Sequence, residues 1–245
     1  MSRRVREFFE RLDAPAGVVD TRRLQRPLYR LEGLAARPWH SPRRYAWTRA
    51  LEEHADAIRA ELSAIRPAPH PEARSLAASG SWHQYLLYRY GERMDEHCAR
   101  CPRTAALVDA IPGADTAALV YFSVLGPHTH VTAHAGPTNL RIRCHLPLVV
   151  PPGCTLRVGS VTRPWREGKC LVFDDSFVHE ADNPSGNDRI VLLVDVWHPD
   201  LTAAERSELS RGLRARLERG TPRPPPAEPA MVGAAAAFAG VKGRS

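Results

Sequence analysis

A regular alternation of apolar and polar residues marks residues 140–146, near the middle of the chain. The side chains of a β-strand point alternately to opposite faces. One face of this strand would therefore carry Leu140, Ile142, Cys144 and Leu146. The other face would carry Arg141, Arg143 and His145. Charged side chains are rarely buried without partners, so this second face is predicted to meet water, acids or an anionic ligand.

Short apolar runs separated by turn residues continue on both sides of this strand. Turns are indicated by proline, glycine and polar residues at positions 151–153 and 184–188. The predicted strands are 27–31, 82–88, 117–125, 140–150, 154–159, 169–173, 177–181 and 189–197. Many short strands at close spacing predict a mainly β protein built as a barrel or a jelly roll.

Helical periodicity appears in segments that flank the predicted strands. The first helix is expected to begin at Ser41 and Pro42, a pair typical of a helix start. Its apolar positions are Trp47, Leu51, Ile58, Leu62 and Ile65. A shorter helix is predicted over residues 103–111, and Thr202 with Glu205 forms a capping-box pattern before a terminal helix. We expect the first of these helices to pack with its apolar positions on the outside of the barrel.

The composition along the chain predicts three regions. Residues 1–24 are charged and show no periodic pattern, which indicates a loosely held N-terminal arm. Residues 25–218 form the single predicted domain. Residues 219–245 are rich in proline and alanine, a composition that buries little surface and predicts disorder.

The charge of the chain does not by itself indicate nucleic-acid binding. The 245 residues carry a formal net charge of +7, with 43% hydrophobic residues. Arginine is spread along the sequence rather than concentrated in one segment, and no helix-turn-helix, zinc-finger or RNA-binding motif is present. A nucleic acid is therefore not an expected partner, and no membrane partner is expected either, because no apolar run is long enough to span a bilayer.

Cysteine usage and the apolar runs predict a cytoplasmic protein. An odd count of five cysteines does not suggest a disulfide framework, so Cys98 and Cys101 are interpreted as ordinary thiols despite their close spacing. The first residues lack the apolar core of a signal peptide. The longest apolar run, residues 230–241, is too short to span a bilayer.

Three histidines are candidates for a shared cavity: His134, His145 and His179. Imidazole suits iron, copper and zinc. In the common non-haem iron site a carboxylate follows the first histidine by two positions, but those positions here are Gly136 and Pro147. Neither residue can ligate through its side chain, so the usual site of two histidines and one carboxylate is not predicted.

Three ordered segments carry a family resemblance: residues 134–145, 165–180 and 189–202, with weaker similarity around Trp82 and Ser123. Together they resemble the aspartyl/asparaginyl β-hydroxylase family of Fe(II)- and 2-oxoglutarate-dependent oxygenases. The resemblance implies a double-stranded β-helix, a jelly-roll or cupin-like fold, with flanking α-helices. It also implies that the protein is a 2-oxoglutarate-dependent dioxygenase.

The resemblance implies specific roles for residues of the predicted cavity. His134 and His179 would bind Fe(II), with Gly136 standing at the position of the missing carboxylate. The cosubstrate residues would be Trp82, Ser123, His145 and Arg189, with Arg143 close by. Ser123 and Arg189 would bind the distal carboxylate of 2-oxoglutarate, and His145 the carboxylate beside the keto group.

Arg141 and Arg143 are the expected substrate-binding residues. The resemblance implies that they hold an acidic group of the substrate, so that His134, His179 and Arg143 form the catalytic set. O₂ and 2-oxoglutarate would be consumed, succinate and CO₂ would be released, and a substrate carbon would be hydroxylated.

From the residues alone, several of these side chains have ordinary alternatives. Arg189 could form a salt bridge with Asp174, Asp175 or Asp188, and Trp82 could be a core tryptophan. One of the paired aspartates could accept a hydrogen bond from a ligating imidazole, while the other caps a turn.

The substrate class follows only from what the chain lacks. Animal members of the family join this domain to a membrane anchor and helical repeats, which are not found in this sequence. We therefore expect a free amino acid, a carrier-bound aminoacyl group or a peptide natural product, with a carrier protein as a candidate partner. Hydroxylation at the β-carbon of an aspartyl- or asparaginyl-like substrate is the predicted reaction.

Three other functions remain open. Non-haem iron halogenases also lack the carboxylate, so Gly136 does not exclude halogenation. A non-catalytic β-barrel that binds a small carboxylate would need the same arginines. A basic module that binds nucleic acid would show steep dependence on salt.

Overall fold

The structure is a computed structural model, and it describes residues 1–14 and 22–218. The strands are β1 Trp39–His40, β2 Ala68–Pro69, β3 Ala77–Ser79, β4 Trp82–Arg89, β5 Glu92–Arg93, β6 Leu119–Leu125, β7 Thr129–His134, β8 Arg141–Val149, β9 Thr155–Val158, β10 Val161–Pro164, β11 Leu171–Phe173, β12 His179–Asn183 and β13 Arg189–Trp197. The α-helices are α1 Arg3–Asp13, α2 Ala46–Glu53, α3 Ala55–Ala60, α4 Ala73–Leu76, α5 Asp95–Arg100, α6 Pro102–Asp109, α7 Ala114–Ala117 and α8 Ala203–Glu218. Two 3₁₀ turns, Pro42–Arg44 and Glu61–Ala64, flank α2 and α3.

The strands form two antiparallel sheets. The larger sheet has the order β1-β11-β8-β13-β6-β4-β2, with β5 paired to β4, and the smaller sheet has the order β10-β9-β12-β7-β3. From β6 to β13 the chain passes repeatedly from one sheet to the other, so neighbouring strands in a sheet are distant in sequence. This winding is a jelly roll, or double-stranded β-helix, which confirms the predicted mainly β fold with flanking helices.

The predicted division of β8 into two faces is confirmed. Ile142, Cys144 and Leu146 are fully buried in a core that also contains Leu51 and Ile58 of the first helical segment. Residues from α5 and α6 belong to the same core, so these helices cover the outer face of the larger sheet. The inner face of β8 is turned toward the smaller sheet.

The predicted helices and strands differ from the observed ones mainly in segments whose side chains are largely exposed or buried on one face only. The first helical segment is divided into short helices, and Ser41 makes no side-chain cap. Strand β10 was not predicted, because three of its four residues are exposed and no apolar alternation marks it. The capping box is confirmed, since Glu205 accepts from the Thr202 amide and donates its own amide to Thr202 Oγ1.

The expectation of a loose N-terminal arm is wrong for α1. Ser2 caps this helix, and Val5, Phe8 and Phe9 are buried in a core shared with Leu209 of α8. The three apolar residues span little more than one helical turn, which is too short a periodic pattern to predict a helix within a charged segment. The predicted disordered tail, residues 219–245, lies outside the described residues.

The cysteine interpretation is confirmed, because Cys98 and Cys101 are both free and buried. The three remaining cysteines are also free and buried. Within residues 1–14 and 22–218, no helix has the length and apolar character needed to cross a bilayer.

Helix α1 should contribute to global stability. Phe8 is completely buried, so we expect Phe8→Ala to lower the free energy of unfolding by about 3–5 kcal/mol through lost contacts and a cavity. Arg3→Ala serves as the control, because the Arg3 side chain is 84% exposed. Urea denaturation measures both effects. Equal stability of the two variants would contradict the packing of α1 against the domain.

Candidate active site

A cleft between the two sheets gathers most of the predicted site residues. It encloses about 550 Å³ of empty space, part of it open to solvent. Its walls include His70, Trp82, Tyr121, His134, Arg141, Arg143, Asp175 and His179. Strands from both sheets contribute, which explains why the residues are scattered along the chain.

His134 and His179 are brought together by the pairing of β7 with β12. The two residues lie directly opposite each other in this pair, and their ring centroids are 4.2 Å apart. The Nδ1 atom of His134 lies 2.7 Å from the carbonyl oxygen of Thr132, and that of His179 lies 2.8 Å from the carbonyl oxygen of Phe177. A carbonyl can only accept, so each Nδ1 carries the proton and each Nε2 keeps a lone pair.

The electrostatic environment keeps both imidazoles neutral at pH 7. Burial, reinforced by the neighbouring His134, lowers the pKa of His179 to about 3. Burial also lowers the pKa of His134. Neutral imidazoles are the form that binds metal ions, so the pair is chemically suited to be the predicted ligands, a role that stays a prediction.

Gly136 has no room for a side chain. A Cβ atom at this position would lie 2.7 Å from Asp175 Oδ2 and 2.8 Å from Asp175 Cγ. The Gly136 amide also donates to the backbone oxygen of Asp175 at 2.6 Å. Asp175 therefore occupies the space that a carboxylate two residues after His134 would need. Among the residues that the structure describes, no group of three or more His, Cys, Asp or Glu side chains is placed to hold a metal ion.

Arg141 and Arg143 form a buried network with two aspartates. Arg143 donates through Nε and Nη2 to the two oxygens of Asp195, at 2.7 and 3.0 Å. Asp175 lies 3.2 Å from Arg143 and 3.4 Å from Arg141. Although burial alone would lower the pKa of Arg143, Asp195 and Asp175 raise it well above its usual value. The two arginines are thus fixed in place and balanced in charge.

Arg189, unlike Arg141 and Arg143, has no carboxylate partner among the described residues. It is 2% exposed, and within residues 1–14 and 22–218 it makes no ion pair, while its Nε and Nη1 atoms have no hydrogen-bond partner. The alternative of a salt bridge to Asp174, Asp175 or Asp188 is therefore wrong. Its guanidinium carbon lies 4.6 Å from the centre of the Trp165 ring. Burial lowers the pKa of Arg189 to about 10, so it remains charged at pH 7.

Ser123 and His145 share the inner sheet face with Arg189. They lie opposite Val191 and Leu193, the next inward-facing residues along β13. His145 Nδ1 lies 3.3 Å from the Trp165 indole nitrogen, which donates to it, and its buried Nε2 has no partner within the described chain. The predicted cosubstrate residues are therefore neighbours, and two of them present unsatisfied polar atoms.

Trp82 is both a buried core residue and part of the cleft wall, while its role toward a cosubstrate stays a prediction. Its indole N–H donates to Ser123 Oγ at 3.1 Å, and its ring stacks on His70 with centroids 3.6 Å apart. Because Ser123 Oγ accepts this bond, its own proton remains available for another acceptor.

The role expected of the adjacent aspartates is half correct. Neither carboxylate accepts a hydrogen bond from His134 or His179, because the backbone oxygens of Thr132 and Phe177 do so. Asp174 does cap a turn, accepting from the amide and the hydroxyl of Ser176 at 2.9 and 2.6 Å.

Sequence reasoning assigned no role to Asp195 or His70. Asp195 is fully buried and holds Arg143, and His70 supports Trp82. Strand alternation from Arg189 would have placed Asp195 on the inner face. No comparable signal marks His70, which lies outside the strands.

The fold is a jelly roll whose interior holds two adjacent histidines and a buried arginine that makes no ion pair among the described residues. The model of the family described as "Aspartyl/Asparaginyl beta-hydroxylase" matches residues 52–199. The chain belongs to the aspartyl/asparaginyl beta-hydroxylase family.

Curated relatives are similar over much of this chain. It is 38% identical to human "Aspartyl/asparaginyl beta-hydroxylase" over 195 residues, which cover 76% of this chain and 26% of the human protein. It is 44% identical to human "Aspartate beta-hydroxylase domain-containing protein 2" over 137 residues, covering 54% of this chain and 37% of that protein. The match therefore spans about a quarter of the length of the first relative.

Solved structures with detectable similarity include a prolyl-4-hydroxylase from Pseudomonas putida. Its TM-score is 0.39 at 15% identity, covering 62% of this chain and 98% of that one. A predicted oxalate decarboxylase from Thermotoga maritima gives a TM-score of 0.38 at 16% identity, covering 55% and 95%.

Asp174 should make the stability of the protein depend on pH. Burial raises the pKa of this carboxyl to about 7, whereas the pKa of an aspartate in the unfolded chain is about 3.9. The folded state therefore holds a proton that stabilises it at low pH, and this contribution is lost as the pH rises through the folded-state pKa.

We expect Asp174→Asn, which cannot ionise, to gain stability relative to the wild type between pH 5 and pH 8. Urea denaturation of both proteins at the two pH values measures the change. A difference in unfolding free energy that does not vary with pH would contradict the raised pKa.

Proposed function

We propose that this protein is an Fe(II)- and 2-oxoglutarate-dependent hydroxylase that acts on the β-carbon of an aspartyl- or asparaginyl-like substrate. The observation that carries the proposal is Arg189, a buried cation that lacks an anion among the described residues and packs on Trp165, which in turn donates to His145. Leaving a buried charge unpaired is costly, so a bound anionic group is the simplest explanation for its presence.

The donor set fits iron. His134 and His179 would hold Fe(II) through Nε2, because both Nδ1 atoms are engaged by backbone carbonyls. Hydrogen bonds of this kind fix the orientation of ligating imidazoles in metal sites. Asp175 excludes a side chain at position 136, so coordination positions would remain for the oxygen atoms of a cosubstrate and for O₂.

The buried polar atoms fit a dicarboxylate with a keto group. Arg189 and the hydroxyl of Ser123 would bind one carboxylate, since a guanidinium matches a carboxylate geometrically and in charge. His145 would meet the second carboxylate through its unsatisfied Nε2. When bound, iron and 2-oxoglutarate would supply the oxidising chemistry, and the protein would supply placement, charge and exclusion of water.

Arg141 and Arg143 are the proposed substrate-binding residues. Both line the cleft, and within the described chain neither uses Nη1 in a hydrogen bond. An acidic group of a free amino acid, a carrier-bound aminoacyl group or a peptide could be held by these atoms. Asp195 and Asp175 limit the net charge of the cleft, which favours a single acidic group over a highly charged substrate.

A panel of aspartyl and asparaginyl compounds, free, carrier-bound and in peptides, tests the proposal. We expect one class to stimulate succinate formation from 2-oxoglutarate with Fe(II) and to gain one oxygen atom. A product that incorporates chloride would indicate a halogenase instead. Binding of 2-oxoglutarate with no succinate from any class would indicate the non-catalytic barrel.

Loss of one predicted iron ligand should abolish turnover. We expect His179→Ala to remove substrate-dependent succinate formation while its far-UV circular dichroism stays that of the wild type. His130→Ala is the matched control, because His130 lies on the neighbouring strand with a side chain that is 40% exposed. Wild-type turnover by His179→Ala would refute the ligand assignment.

Loss of the buried cation should weaken cosubstrate binding. We expect Arg189→Met, which keeps an apolar stem beside Trp165, to raise the 2-oxoglutarate concentration for half-maximal turnover by about 100-fold, or about 2.8 kcal/mol. Arg166→Met, at an exposed position, is the control. An unchanged requirement in Arg189→Met would remove this residue from the proposed role.

A further inference from the structure

Residues 24–31, called here the strap, join neither sheet and bond to the two loops that contribute Pro137 and Asp175 to the cleft wall. The prediction of a strand over residues 27–31 is wrong. The strap makes only isolated bridges, from Gln25 to Phe177 and from Tyr29 to Thr138. Its bonds go to two loops, and each loop adjoins one of the paired histidines.

The first half of the strap holds the loop that leads into His179. The amide of Val178 donates to the Leu24 oxygen at 2.7 Å, and the amide of Arg26 donates to the Ser176 oxygen at 2.8 Å. These bonds bracket Phe177, whose own oxygen holds the imidazole of His179.

A buried side chain adds to these backbone bonds. Gln25 is 9% exposed, and its Nε2 donates to Asp174 Oδ2 at 3.2 Å and to Ser176 Oγ at 3.1 Å. Asp174 itself shapes the turn through two bonds from Ser176. The amide of Gln25 therefore joins the strap to the turn that carries Asp175 into the cleft.

The second half of the strap holds the loop that follows His134. The amide of Tyr29 donates to the Pro137 oxygen at 2.9 Å. The buried side chain of Asn139 closes a pair of bonds with Leu31, accepting from its amide at 2.8 Å and donating to its oxygen at 3.0 Å. One continuous segment thus fixes the loops beside both histidines.

We propose that the strap is a positioning element for the two-histidine metal site, with Gln25 as its central positioning residue. The inference rests on the proposed function. With only two protein ligands, the relative placement of His134 and His179 depends on their strand pairing and on the loops that adjoin them. Outer contacts of this kind tune metal affinity by orienting the ligands. The strap precedes residue 52, where the family match begins.

Binding of Co²⁺ in the presence of excess 2-oxoglutarate tests the inference without turnover. We expect Gln25→Met, which keeps the length of the side chain but removes its donors, to raise the dissociation constant for Co²⁺ by about tenfold or more. Gln25→Asn, whose amide is one methylene too short to reach Asp174 and Ser176, provides a second variant with the same direction of change.

Glu61→Met is the matched control. It removes three hydrogen bonds, from the amides of Arg103 and Thr104 and from Thr104 Oγ1, in the helices outside the larger sheet. We expect this variant to lose thermal stability but to bind Co²⁺ as the wild type does.

Wild-type affinity for Co²⁺ in both folded Gln25 variants would overturn this inference alone. Equal weakening in Glu61→Met would also overturn it, because the effect would then follow from general destabilisation. A wild-type protein that binds no Co²⁺ with 2-oxoglutarate would instead overturn the proposed function, and the inference with it.

Discussion

The cost of burying charge governs the interior of this protein. Arg141, Arg143, Asp175 and Asp195 lie together out of solvent, and each guanidinium has a carboxylate within 3.5 Å. Arg189 is buried on the same side of the larger sheet without a balancing carboxylate in the described chain. The first group is balanced within the described residues, whereas the single cation lacks a balancing anion among them. The contrast separates a charge-balanced network from a buried cation without an ion-pair partner among the described residues.

The jelly-roll fold brings these charged residues together on one inner surface. Its strands alternate between sheets, so residues far apart in sequence meet on one inner surface while helices cover the outer face. β7 and β12 place His134 beside His179, and β6, β8 and β13 place Ser123, His145 and Arg189 on adjoining positions. Asp175 then fills the space beside Gly136, and both histidines line the cleft next to it.

Support for the cleft reaches beyond the sheets. The strap connects to the loops on both sides of the histidine pair, and Asn139 and Gln25 are buried polar residues whose bonds are satisfied across it. Helix α1, which precedes the strap, packs against α8. The N-terminal segment is therefore part of the architecture around the site, although its charged composition resembles that of a solvated arm.

The sequence by itself determined the two faces of β8, the β-rich architecture, the flanking helices and the identity of the histidine and arginine candidates, because alternation and motif order are local properties of the chain. It could not decide whether Arg189 pairs with Asp174, Asp175 or Asp188, whether an aspartate or a carbonyl orients each imidazole, or whether residues 1–14 pack. Only the tertiary structure decided these points, since each depends on distances between segments that local pattern does not encode. Asp195 shows the same limit: alternation could place it inward, but only strand pairing put it against Arg143.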